Sequence, residues 1–160
     1  MLGLMQNWPL TVNKIMDHAA INHGSREVVS RSIEGPMVTT TYSQINARAK
    51  KVTNALQGEG IKLGDRVATL AWNSGHHMEV WYGAMGMGAV LHTLNPRLFP
   101  EQLVYIINHA EDRIIFTDIT FVPLLEALQA KMPGVERFIV LTDGDHMPKT
   151  TLKGAINYES

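Results

Sequence analysis

Apolar residues in this chain follow two rhythms. Short apolar runs begin near Arg66, Ala89, Arg113 and Arg137, and between them lie longer stretches whose apolar residues recur every three or four positions. Residues 68–98 show the alternation most clearly. Ala68 to Ala71 is a short apolar run, Asn73-Ser74-Gly75 supplies turn and N-cap chemistry, and Met78, Trp81, Tyr82 and Met85 form a stripe at helical spacing. A glycine-rich turn then leads into a second apolar run that stops at Asn95-Pro96-Arg97. Together these make one βαβ unit, and crossovers of that kind join parallel strands. The pattern predicts an α/β fold: a doubly wound, mostly parallel sheet with helices on both faces.

The flanking segments extend this unit. Thr11 is placed to cap a helix carrying Val12, Ile15, Met16 and Ala19 on one face, with Gly24 at its end. Residues 27–31 and 37–41 are β-branched runs around Glu34-Gly35-Pro36, which predicts a small antiparallel hairpin at the sheet edge. Thr41-Tyr42-Ser43-Gln44 matches a capping box, so a helix is expected to begin there. Ile45, Ala49, Val52 and Leu56 form its inner face, with Arg48, Lys50 and Lys51 opposite, and Gly58 and Gly60 close it.

Gly64-Asp65 turns the chain into the first central strand. Pro100 and Glu101 suit the first turn of a helix bearing Leu103, Val104, Ile106 and Ile107. A strand over 114–118 follows, then a helix with Leu124, Leu125 and Leu128 inward, closed by Pro133-Gly134, and a last clear strand over 138–142. From Asp143 to Ser160 the period decays. The chain thus divides into an α/β unit over 1–142 and a connecting segment over 143–160. At the other end Leu2, Leu4, Met5 and Trp8 make an apolar arm, suited to docking on the domain or on a second subunit.

Composition narrows the function classes. With 160 residues the chain is about one domain, and without cysteine it has neither a disulfide nor a thiolate nucleophile, in keeping with a reducing, cytoplasmic compartment. The 14 Lys and Arg against 15 Asp and Glu give no electrostatic case for nucleic acid or an anionic membrane as partner. No apolar run approaches the roughly 20 residues of a membrane span, and the start MLGLMQNWPL lacks the basic region of a signal peptide.

Candidate chemistry is sparse. Gly83, Gly86 and Gly88 lie where a helix exits into a strand, the reverse of a dinucleotide-binding loop, so they read as a helix end packed tightly on the sheet. His76 and His77 are adjacent, diverge on a helix and make a poor metal pair, while His92 in a strand and His109 near a helix end read as core or capping residues. No metal site is expected. Arg97 stands apart: it follows a parallel strand directly, at the sheet edge where open α/β folds place ligands, and a guanidinium there is suited to a phosphate. A solvated or helix-capping arginine is the plain alternative.

Three stretches taken in order carry a resemblance: Thr41-Tyr42-Ser43-Gln44-Ile45; Gly60-Ile61-Lys62-Leu63-Gly64-Asp65-Arg66-Val67-Ala68; and Tyr82-Gly83-Ala84-Met85-Gly86-Met87-Gly88-Ala89-Val90-Leu91 running to Asn95-Pro96. The chain resembles the N-terminal part of the adenylate-forming superfamily of acyl-CoA synthetases, luciferases and peptide-synthetase adenylation domains. Within it, residues 71–112 are most similar to medium-chain fatty-acyl-CoA and 3-methylmercaptopropionyl-CoA ligases.

The resemblance implies an AMP-forming ligase. A carboxylate attacks the α-phosphate of ATP, giving an acyl-adenylate and pyrophosphate, and the thiol of CoA then displaces AMP, with Mg²⁺ supporting the phosphoryl chemistry. The family's phosphate loop, Thr-Ser-Gly-Thr-Thr-Gly, has no match in these residues, so the chain is expected to be the first part of a larger enzyme, inactive by itself and binding none of these groups alone. Pro148-Lys149-Thr150-Thr151-Leu152-Lys153-Gly154 is only superficially like the stretch before the family's catalytic lysine, because here glycine follows the lysine. Only Arg97 carries over as a site residue, as a contact to a CoA phosphate. Family enzymes are often homodimers, and the apolar arm is the expected contact. A free-standing, non-catalytic α/β binding or assembly module is the competing expectation.

Overall fold

A computed structural model describes residues 3–4 and 7–160. In chain order the elements are α1 (Asn13–Asn22), β1 (Glu27–Arg31), β2 (Met37–Thr41), α2 (Tyr42–Gly58), β3 (Arg66–Leu70), α3 (Gly75–Gly86), β4 (Val90–Thr93), α4 (Pro100–Ala110), β5 (Ile114–Thr117), α5 (Val122–Leu128), β6 (Arg137–Val140) and β7 (Ile156–Asn157). Strands β3 to β7 form one sheet in the order β4-β3-β5-β6-β7, every neighbour parallel.

Strand alternation sorts the core into two layers. Val67, Ile114, Phe116 and Ile139 pack with Val52 and Leu56 of α2 and Val80 and Ala84 of α3. Ala68, Leu70, Ile115, Phe138 and Val140 pack with Leu103 and Ile107 of α4 and Leu125 and Leu128 of α5. Both faces are thus covered, as the doubly wound reading requires. The capping box forms at the start of α2, where the Thr41 hydroxyl accepts from the Gln44 N–H and the Gln44 side chain accepts from the Thr41 N–H. Ile45, Ala49, Val52 and Leu56 are its buried residues.

Several local expectations are corrected. The hairpin forms with Val29 opposite Thr39, but it is a separate two-stranded sheet, with Ser30 Oγ accepting from the Gly75 N–H at the start of α3 (3.2 Å). Thr11 makes no side-chain cap: the first turn of α1 follows Val12, and only Met16 of its apolar residues is buried. Of the arm, Leu2 and Met5 lie outside the described residues, and Leu4 and Trp8 are exposed.

Helix α3 departs most from its pattern. Ser74 caps it as expected, accepting from the His77 N–H. The buried residues, however, are Gly75, Glu79, Val80, Gly83 and Ala84, while Trp81 is 42% exposed. The reason is Gly83. A Cβ there would stand 2.8 Å from the Ala49 carbonyl oxygen and 2.7 Å from Val52 Cβ, so this glycine serves the close approach of α3 to α2, while Val80 and Ala84 rest on the sheet. Past the helix, Gly88 has φ of +82°, a left-handed conformation that favours glycine at the turn into β4.

The segment over 143–160 contains structure that its decayed period hid. Leu152 is buried, and Ile156 and Asn157 pair in parallel with Ile139 and Val140, adding the fifth strand.

Candidate functional site

The chain winds from β3 outward to β4, then reverses to place β5 on the other side of β3. Open α/β sheets hold ligands at the carboxyl ends of the strands flanking such a reversal. Here that edge is built by the turn after β3 (residues 71–74), the start of α3, the segment after β4 and the end of β5. The β1–β2 hairpin stands beside it and closes a groove of about 620 Å³.

Val28 and Val29 of the hairpin, Thr69 of β3, His77 and Trp81 of α3 and Leu94 beyond β4 line the groove, and among the described residues no Asp, Glu, Lys or Arg does. His77 Nδ1 lies 3.0 Å from the Trp72 carbonyl oxygen and Nε2 lies 3.0 Å from Thr69 Oγ1. A carbonyl only accepts, so Nδ1 carries the proton, and burial lowers the pKa of this ring, leaving Nε2 to accept from the Thr69 hydroxyl. The groove is therefore uncharged. It suits the apolar or neutral part of a ligand; its hydroxyl–imidazole pair, Thr69 with His77, is formed by a threonine only 1% exposed.

Arg97 lies just beyond the same strand end. It is exposed, its N–H donates to Asn95 Oδ1 (3.0 Å), and its guanidinium makes no hydrogen bond or ion pair among the described residues. Leu94 lines the groove but Arg97 does not, so the structure brings the predicted phosphate contact near this site without placing it inside.

At the end of β5, Asp118 is 3% exposed and accepts from the Trp72 N–H at 2.5 Å. Burial is the main cause that pushes its carboxyl up to about 6, against the pull of that N–H. His92 Nδ1 meets the buried Asp112 at 2.6 Å; burial raises the Asp112 pKa, and its other oxygen is the only buried side-chain polar atom without a partner among the described residues. His109 stacks on Tyr105 with ring centroids 5.5 Å apart. Among the described residues no three His, Cys, Asp or Glu side chains gather at a metal position.

A further cluster ties α2, α3 and the last strand together. Glu79 is 3% exposed, and both its oxygens lie 2.8 Å from Arg48 Nε, while the Tyr158 hydroxyl donates to Glu79 Oε2 at 2.7 Å. Arg48 also reaches Glu159 at 2.5 Å. Arg48 is therefore no solvent-side residue of α2 but half of a part-buried ion pair. Burial, with the Glu79 charge beside it, pushes the Tyr158 phenol up. Asp118, Asp112 and Glu79 were not singled out from sequence. For Glu79 a signal existed: Gly75, Glu79 and Gly83 recur every fourth position beside Val80 and Ala84, a second helical face made of small residues and one acid.

Comparison with known proteins matches this geometry to one family. The model of the family described as "AMP-binding enzyme" covers residues 16–159. The 3-methylmercaptopropionyl-CoA ligase of Ruegeria lacuscaerulensis is 47% identical over 141 residues, which are 88% of this chain and 26% of that protein. The medium-chain-fatty-acid–CoA ligase of Ectopseudomonas oleovorans is 40% identical over 159 residues, 99% of this chain and 29% of that one. Among solved structures, the N-terminal domain of FACL13 from Mycobacterium tuberculosis superposes with a TM-score of 0.73 at 26% identity, over 81% of this chain and 33% of that one. The anthranilate CoA ligase AuaEII, in complex with anthranoyl-AMP, superposes with a TM-score of 0.74 over 86% of this chain and 27% of that one, and at 23% identity it speaks for the fold alone. This chain spans 26 to 30% of the length of the first relatives it matches. A parallel sheet wound on both sides, with the family pattern running through nearly all of it, makes this chain a member of the AMP-binding enzyme family.

Proposed function

We propose that these residues are the N-terminal α/β part of an AMP-forming acyl-CoA ligase. The overall reaction is carboxylate, ATP and CoA to acyl-CoA, AMP and pyrophosphate, through an acyl-adenylate. The observation that carries this reading is 40 to 47% identity to CoA ligases sustained over 88 to 99% of the chain. The acids these relatives are named for, medium-chain fatty acids and 3-methylmercaptopropionate, make a small or medium-length aliphatic acid the proposed substrate class. In this reading residues 143–160 lead onward from the α/β unit over 1–142 and also give that unit its edge strand β7.

Arg97 is proposed to hold a phosphate of CoA. Its exposed guanidinium, free of ion pairs among the described residues at the carboxyl end of β4, supports that role. No step through Mg²⁺ is assigned to this chain's residues, none of which gather at a metal position in the described part. By themselves the 160 residues are proposed not to turn over, since the family's phosphate loop has no match in the sequence. A cytoplasmic location and a homodimer complete the reading. The dimer is supported by Trp8 and Leu10, 56% and 102% exposed beside the apolar start of the chain.

The test is to assay the whole protein for carboxylate-dependent pyrophosphate release and for thioester formation with octanoate and 3-methylmercaptopropionate. Turnover with either acid is expected, and none with any aliphatic acid would overturn the proposal. Arg97→Ala in that protein is expected to raise the KM for CoA several-fold and leave acyl-adenylate formation unchanged.

A further inference from the structure

The tip of the hairpin meets the carboxyl edge of the main sheet through acidic groups. Glu34, in the turn between β1 and β2, accepts a hydrogen bond from the buried Thr142 hydroxyl just beyond β6, at 2.5 Å. Asp118, at the end of β5, is buried beside it, and the negative charge of Glu34 adds to burial in opposing Asp118 ionisation. At the hairpin's base the Arg26 carbonyl accepts from the Tyr42 N–H and β2 runs straight into α2, but away from that base its ties are few. Ser30 accepts from the Gly75 N–H, and Val29, Met37 and Val38 are 45 to 63% exposed, so its outer face contributes little burial. A two-stranded ribbon of this kind is marginal without packing, which gives the contact at its tip unusual weight.

We propose that Glu34, Thr142 and Asp118 form a latch between the hairpin and the five-stranded sheet, closed while Asp118 is protonated and loosened when it ionises. The hairpin walls the 620 Å³ groove through Val28, Val29 and Ser30, so the latch also sets the groove's width.

The charged and titratable groups around Asp118 fix the direction of the effect. Glu34 faces it from the hairpin and His76 from α3, while the Trp72 N–H binds it from the turn after β3. Beyond β6, His146 pairs with Asp143 at 2.7 Å and also feels Glu34 and Asp145. Burial and Glu34 raise the Asp118 carboxyl from 3.8 to about 6. A carboxyl raised on folding stabilises the closed form at low pH and loses that contribution as pH climbs through the folded value. The window is therefore from about pH 4 to pH 6. Asp143 raises the His146 pKa above its ordinary 6.5, so that ring gives up its proton outside the window.

Amide hydrogen exchange on the whole protein tests the latch, with rates corrected for the intrinsic effect of pH. Opening of the hairpin amides, Val28–Arg31 and Val38–Thr41, is expected to rise between pH 4.2 and 6.5, by up to roughly 30-fold if the whole shift is released on opening. Amides of β5 serve as the internal reference. In Asp118→Asn the rise is expected to vanish, and in Thr142→Val opening is expected to be faster at both pH values. Hairpin exchange that is unchanged between the two pH values, or a full rise persisting in Asp118→Asn, would overturn the proposal. If Asp118→Asn lacks a native near-UV circular dichroism spectrum, Glu34→Gln at the tip decides: a diminished rise supports the latch and an undiminished one removes it.

Discussion

On one side of the sheet, α4 and α5 bury Leu103, Ile107, Leu125 and Leu128 against apolar strand residues. On the other, α2 and α3 meet through a glycine with no room for a methyl group and through a carboxylate held by an arginine and a tyrosine. The first side is stabilised by apolar area, which is forgiving of exact shape. The second depends on close approach and on complete pairing of buried charge, where single changes leave either a collision or an orphan. The same sheet thus supports two kinds of interface, and they are expected to fail differently.

The sharpest way to break that contrast is Gly83→Val, which places a branched side chain against a carbonyl oxygen 2.8 Å from the new Cβ. It is expected to cost at least about 3 kcal/mol in urea unfolding, and a loss below about 1 kcal/mol would show that α2 and α3 can part freely. Arg48→Met leaves Glu79 buried with only the Tyr158 hydroxyl and is expected to cost about 3 kcal/mol. Adding Glu79→Met is expected to restore at least half of that loss, because an apolar pair needs no partner. Leu125→Ala, on the α4–α5 side, is expected to cost about 2.5 kcal/mol with no single compensating change. Thr41→Ala, at the head of α2, removes one half of a capping box and is expected to cost about 1 kcal/mol by thermal unfolding. Arg97→Ala, outside both interfaces, is expected to stay within about 0.5 kcal/mol of the parent. A larger change would mean that the guanidinium supports the fold and is not held in reserve for a ligand.

How far the sequence can be read follows the same division. Helix α2 was legible in its start and its buried face, because its capping box and its Ile45, Ala49, Val52 and Leu56 stripe point to one answer, though the pairing of Arg48 with Glu79 was not. The hairpin strands were legible in extent but not in placement, since alternation does not say which sheet a ribbon joins. Helix α3 was legible in existence and misleading in rotation. Met78, Trp81, Tyr82 and Met85 outweigh Gly83 and Glu79 on any hydropathy scale, yet closeness to α2 turned the small residues inward and left Met78, Trp81 and Tyr82 to line the groove. Strand β7, at two residues, is too short to show a period. Even the end of α4 gave no glycine to read, because Glu111 takes the left-handed conformation itself, with φ of 56°. Of the site, the position of Arg97 after a strand was visible, whereas Asp118 and Asp112 acquire their character only from burial that distant segments provide.

The strand order has a bearing on how the molecule is assembled during synthesis. β3 is made before either of its neighbours; its partner on one side, β4, follows directly after α3, but the register Val67 to Ile114 on the other side waits until α4 has also emerged. Throughout that interval the backbone of the Val-Ala-Thr-Leu run keeps one ladder of unpaired groups open to any other extended chain. A nascent polypeptide of which only the residues up to Phe99 have emerged would be a template for aggregation, whereas one with Thr117 also free to fold would have both rims of β3 closed.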